Sequence, residues 1–165
     1  MKDCAMKKQI VFLLPIFVFI ACSDTEKMQN QIDDLTVQLA NSYKPGFGEF
    51  MSNIQVHHAK LWFAGKNKNW ELAAFEVHEI EESLEAIQKY QKERNESQAI
   101  AVINPSIDSV KIAIAQQNSI LFVRSYTGLT NTCNTCHQAV QFGFNVVKIP
   151  DTPPYSNQEY STRSK

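Results

Sequence analysis

No sign of charge dominates this chain: 16 Lys and Arg face 17 Asp and Glu, a formal net of −1. That balance argues against nucleic acid as the main partner. No apolar run is long enough to cross a hydrocarbon layer of ~30 Å. Glycine is limited to 5 residues, and no repeat or low-complexity tract occurs. No segment alternates apolar and polar residues as a half-buried strand does. There is no catalytic triad pattern and no additional cluster of metal ligands, so an enzyme is not expected. What remains is an ordinary apolar fraction of 44% in 165 residues, enough for one packed domain with short appendages.

The N-terminus is organised as an export signal. Lys7 and Lys8 precede an apolar run from Ile10 to Ala21, the size of a signal-peptide core. The run ends Phe19-Ile20-Ala21-Cys22 and turns polar at once with Ser23 and Asp24. A small residue just before a cysteine resembles the bacterial lipoprotein cleavage box, with Phe19 where Leu is preferred. The resemblance implies removal of residues 1–21, lipidation of Cys22 and a periplasmic, membrane-anchored product. A plain secretory signal is the alternative. Removal takes away Lys2, Lys7, Lys8 and Asp3 and leaves the remainder mildly acidic.

Cysteine then runs short. Cys4 goes with the signal and Cys22 with the lipid, which leaves Cys133 and Cys136 two residues apart and no partner for a long-range disulfide. Three local chemistries compete for the pair. A redox dithiol normally opens a helix after a strand, and no strand pattern precedes this one. Zinc needs four ligands, and one helical turn cannot wrap two cysteines and the adjacent histidine around one ion. Cys133-Asn134-Thr135-Cys136-His137 is also C-x-x-C-H, the spacing of covalent c-type haem attachment. Two sulfurs can reach the two vinyl positions of one porphyrin, and the next residue sets an imidazole under the iron. Haem is the expected cofactor, bound once.

Helical periodicity accounts for most of the rest. Met28, Ile32, Leu35 and Leu39 form a narrow 4-3-4 seam, which predicts a tethering helix within residues 22–45 that packs on the domain or on a second copy. After Pro45-Gly46 a helix is expected to about Ala64, with Phe47, Met51, Ile54, His58 and Leu61 along one stripe. Gly65 is placed for its C-cap and Asn69 for the next N-cap. A helix from Trp70 to about Arg94 carries Trp70, Ala73, Val77, Ile80, Leu84 and Ile87 inward and Glu79, Glu81, Glu82 and Glu85 outward. Residues 95–104 read as a connection, and Pro105 opens a helix with Ile107, Val110 and Ile114. Asn118-Ser119 marks a break before the last helix, whose stripe is Phe122, Tyr126, Leu129, Cys133, Cys136 and Val140. The two cysteines fall in phase with its core residues, so a group attached there would face the interior. The tail from residue 143, with Pro150, Pro153 and Pro154, reads as irregular.

Four helices on short links with C-x-x-C-H near the end of the last one resemble the class II cytochromes c, the cytochrome c′ group. The resemblance covers roughly residues 46–142. It implies an all-α, up-down-up-down four-helix bundle with the tethering helix before it. It implies Cys133 and Cys136 as thioether sites and His137 as proximal iron ligand. Asn134, Thr135, Gln138 and Gln141 stand where the family often carries basic residues. Members differ at the sixth iron position: some leave it open and bind nitric oxide or carbon monoxide, and others bind a Met from the first bundle helix. The ordinary class I pattern, with a Met well after the motif, is excluded because no Met follows residue 51.

For the sixth position, antiparallel geometry favours Met51. It lies ~9 Å inside a helix starting at Pro45, and His137 lies ~8 Å from the adjoining end, at ~1.5 Å per residue. His58 sits on the same stripe ~10 Å lower and is the weaker alternative; His57 is lower too and rotated away. Met51 as simple core filler is the plain reading. The expected function is electron transfer with an unidentified redox partner protein, since Met ligation raises the potential. A five-coordinate gas-binding protein and a structural lipoprotein without haem are the alternatives, and a homodimer is compatible with the 28–39 seam.

Overall fold

In the computed structural model, residues 10–42 and 45–162 are described, with side chains from residue 25. All regular structure in the described chain is helical, the residues from 140 on are irregular, and no strand occurs among the described residues. It divides into two units, residues 1–44 and 45–165.

The first unit contains one long helix, α1 (Ile10–Ser42). Of the segment expected to be removed, residues 1–9 lie outside the described residues, as does the side chain of Cys22. Among the described residues no helix is long and apolar enough to cross a membrane. Met28, Ile32, Leu35 and Leu39 are exposed along α1, and Gln29–Asp33 and Gln38–Asp34 pair one turn apart.

The second unit holds α2 (Phe47–Lys66), α3 (Trp70–Tyr90), a short α4 (Asn95–Ala99), a 3₁₀ turn (Ile100–Ile103), α5 (Asn104–Ala115) and α6 (Ser119–Ala139). The four longer helices form a ring, and each neighbouring pair carries a cross-helix bond. Asn53 donates to Ser83 between α2 and α3, and Lys111 pairs with Glu81 between α5 and α3. Ser106 bonds Thr132 between α5 and α6, and Tyr126 bonds His58 between α6 and α2. Along α2 and α3 the pairs Pro45–Gln91, Asn53–Ser83 and His57–Glu76 climb one helix as they descend the other. The same holds for Gly65–Phe122 and His58–Thr130 between α2 and α6. Both pairs are therefore antiparallel, which brings the start of α2 beside the end of α6.

The core is the predicted set of stripes. Ala73, Val77, Ile80, Leu84 and Ile87 of α3 are buried, as are Ile54, His58 and Leu61 of α2, Ile107, Val110 and Ile114 of α5, and Phe122, Tyr126 and Leu129 of α6. Asn69 caps α3 by accepting from Leu72 N, and Asn118 caps α6 by accepting from Ile120 N and Leu121 N.

Three expectations change. Gly65 is not a cap but a buried residue inside α2, and a Cβ there would meet the Phe122 ring at 2.1 Å. It is glycine because α6 presses an aromatic ring onto the helix backbone. The left-handed position that ends α2 is Lys68, at φ 58°, with Asn69 N–H donating to Ala64 O and Lys68 N–H to Gly65 O. α3 stops at Tyr90 rather than near Arg94. The stretch 95–104 is not a bare connection: 95–103 is α4 and the 3₁₀ turn, and Asn104 already begins α5. Residues three apart eclipse in a 3₁₀ turn, so Ile100 and Ile103 bury together.

Candidate functional site

The open end of the ring, where α2 begins and α6 ends, contains two adjoining cavities of about 190 and 220 Å³. Together they fall in the range of small-molecule sites, ~300–1,000 Å³. Gly48, Met51, Ile100, Cys136, His137 and Asn145 line both. The first also takes in His58, Leu84, Ile103 and Cys133, and the second Phe47, Arg94 and Phe142. All five residues singled out in the sequence, Met51, His58, Cys133, Cys136 and His137, line the first cavity. The walls are mostly apolar because α2, α3 and α6 turn their core stripes toward it.

Cys133 and Cys136 are free thiols one helical turn apart on α6; Cys133 packs against the core and Cys136 lines both cavities. Burial first, then the neighbouring Cys136, pushes the Cys133 thiol up to about 11. Burial also raises Cys136. Thiol–disulfide chemistry uses cysteines shifted the other way, toward thiolate. The Cys133 and Cys136 thiols are shifted away from that state.

His137 stands in the last turn of α6. Its Nδ1 is 2.6 Å from the backbone carbonyl of Asn145. A carbonyl only accepts, so Nδ1 carries a proton, and in the neutral ring Nε2 then keeps the lone pair. Metal-ligating histidines characteristically donate their other N–H to a carbonyl or carboxylate in this way.

His58 differs. The Thr130 hydroxyl is 3.0 Å from both Tyr126 O and His58 Nε2, so as it donates to that carbonyl it accepts from Nε2–H. Tyr126 OH lies 2.9 Å from Nδ1 and 2.8 Å from His58 O, and its one proton is shared between these two acceptors. Both ring nitrogens are thus occupied, and burial lowers the His58 pKa to about 4. Met51, half-buried against the core, has no such competing bonds. His57 lies away from the cavity, its Nδ1 2.6 Å from the fully buried Glu76 of α3. His78 is exposed and pairs with Glu82.

Sequence periodicity did not single out Glu76, Asn145, Ile100 or Ile103. The Ile100-Ala-Val-Ile103 run was the available signal for the last two, and it lay in a segment too short for a helical period. Among the described residues no three His, Cys, Asp or Glu side chains converge as a ready-made metal site. No protein-family model, no curated protein and no solved structure matches the chain.

Proposed function

We propose that this chain attaches one haem through Cys133 and Cys136, coordinates its iron through His137 Nε2, and carries electrons as an exported, lipid-anchored protein. The observation that supports this most is the convergence of both thiols, a lone-pair-bearing imidazole and the Met51 thioether on one apolar cavity. With both thiols taken up in thioether bonds, one imidazole and one thioether remain, too few donors for a bare ion. They suit an iron whose other four positions a porphyrin fills. Bound haem would supply one-electron redox chemistry.

The chain's own residues would do the rest. Cys133 and Cys136 would hold the haem through two thioether bonds. The Asn145 carbonyl fixes the His137 tautomer. Leu84, Ile100 and Ile103 would give the haem an apolar wall. Met51 is the proposed distal ligand, and the occupied nitrogens of His58 count against that residue.

The first test is a denaturing gel stained for haem, on protein matured in cells able to make c-type cytochromes. Wild type should retain haem and Cys133→Ser with Cys136→Ser should lose it; full retention in the double variant, or a colourless wild type, overturns the reading. The ferrous visible spectrum then decides the sixth position. A sharp low-spin spectrum indifferent to carbon monoxide, converted to a responsive high-spin one by Met51→Ala, is expected. A wild type that is already high-spin and shifts with the gas would transfer the function to gas binding.

A further inference from the structure

We propose that Asn134 is a positioning residue for the His137 imidazole, strapping the chain tail to α6 so that the Asn145 carbonyl is held against Nδ1. This rests on the haem reading for its functional consequence, though not for its geometry. Asn134 occupies the first variable position of the C-x-x-C-H sequence. Its side chain makes two bonds to one residue: Nδ2–H donates to Val147 O at 2.8 Å, and Val147 N–H donates to Oδ1 at 2.8 Å. The carboxamide thereby acts as a neighbouring strand would, pairing both backbone groups of Val147.

The segment between helix and strap is tied at each end. Phe142 N–H donates back to His137 O at 2.7 Å, and Gln141 sits left-handed at φ 67°. Asn145 N–H then closes a turn onto Phe142 O at 2.8 Å. Two residues before the strap, Asn145 O accepts from His137 Nδ1. The carbonyl itself has no freedom to choose another partner while Val147 is clamped. Phe144 and Val146, in the same loop, are exposed, with the Phe144 ring 5.6 Å from that of Phe142, and the polar bonds tie the loop to α6.

Only a side chain with a donor and an acceptor in one plane makes both bonds. Aspartate offers no donor, and alanine offers neither group. A proton-accepting partner on Nδ1 raises the basicity of Nε2 and would lower the iron's reduction potential.

The experiment compares wild type with Asn134→Ala and the isosteric Asn134→Asp, full-length, in two states. In the haem-free chain, imidazole ¹⁵N shifts of His137 report its tautomer. Wild type should be Nδ1–H, and both variants should move the tautomer ratio toward Nε2–H by roughly fivefold, the worth of one hydrogen bond. In the haem-loaded chain, both variants should retain covalent haem and show a higher reduction potential than wild type. If Asn134→Ala does not fold, Asn134→Asp, which fills the same volume, decides alone. A variant that folds with the wild-type tautomer ratio and potential overturns the proposal. A wild type that takes up no haem overturns the proposed function instead, while the tautomer measurement still judges the strap.

Discussion

The His58 imidazole is buried between Tyr126 and Thr130 with no charged partner, so the fold holds it neutral. Its pKa falls from 6.5 to about 4. Between those values the unfolded chain binds the proton that the folded chain refuses. Stability is therefore full above pH ~6.5, falls as the pH drops toward ~4, and loses nothing further from this group below that. The loss amounts to about 3 kcal/mol. Urea unfolding of the haem-free protein at pH 7 and pH 4 should show it, and His58→Gln should be flatter over that window. An equal slope in the variant would assign the effect to other groups. At the same scale, Gly65→Ala should destabilise by ~1–3 kcal/mol, because the added methyl overlaps the Phe122 ring, which is itself fully buried. A thermal melt unchanged by that substitution would contradict the close approach.

Among the elements, three helices end alike. After α2, α5 and α6 a non-glycine residue takes the left-handed position: Lys68 at φ 58°, Gln117 at φ 50° and Gln141 at φ 67°. Each termination has its pair of back-bonds, such as Asn118 N–H to Ala113 O and Gln117 N–H to Ile114 O after α5. Side chains pay a steric penalty there that glycine avoids. Lys68→Gly and Gln117→Gly should each stabilise by about 0.5–1 kcal/mol, read as raised urea midpoints with unchanged slope. The helix starts behave oppositely. Asn118 accepts from two backbone N–H groups, and Asn118→Ala should cost about 1 kcal/mol of stability. Repair of that loss by Asn118→Asp, which keeps the acceptor, would confirm the cap as its cause.

At the scale of the molecule, residues 45–165 form a unit with its own core, running from Ile54 to Leu129. The tail belongs to that unit: Tyr160 is buried beside Phe63, and Ile149 packs on the core. A chain beginning at Pro45 should fold by itself and unfold in one cooperative thermal transition. A broad or two-step melt, or a largely unfolded product, would show that the unit needs residues before Pro45.

Helix periodicity and cap chemistry are local, and at those points the sequence was sufficient. The 3-4 spacing on α3 named its buried face, Asn69 announced a helix start and Asn118 a break between helices, and the phase of Cys133 and Cys136 with Phe122, Tyr126 and Leu129 pointed the thiols inward. Antiparallel pairing added depth along the helices, the basis for expecting Met51 near His137, and the two line the same cavities. Contacts between distant segments were not legible. Gly65 reads as a cap until Phe122, far along the chain, is seen to press on it. Glu76 reads as one more acidic residue until His57 from α2 reaches it. Asn134 reads as a spacer between cysteines until the tail folds back to present both backbone groups of Val147. Periodicity records which face of a helix is apolar; it carries no record of which polar atom meets it across the fold. That is why the tertiary structure alone decided the hydrogen bonds of His58, the tautomer of His137 and the strap that holds it.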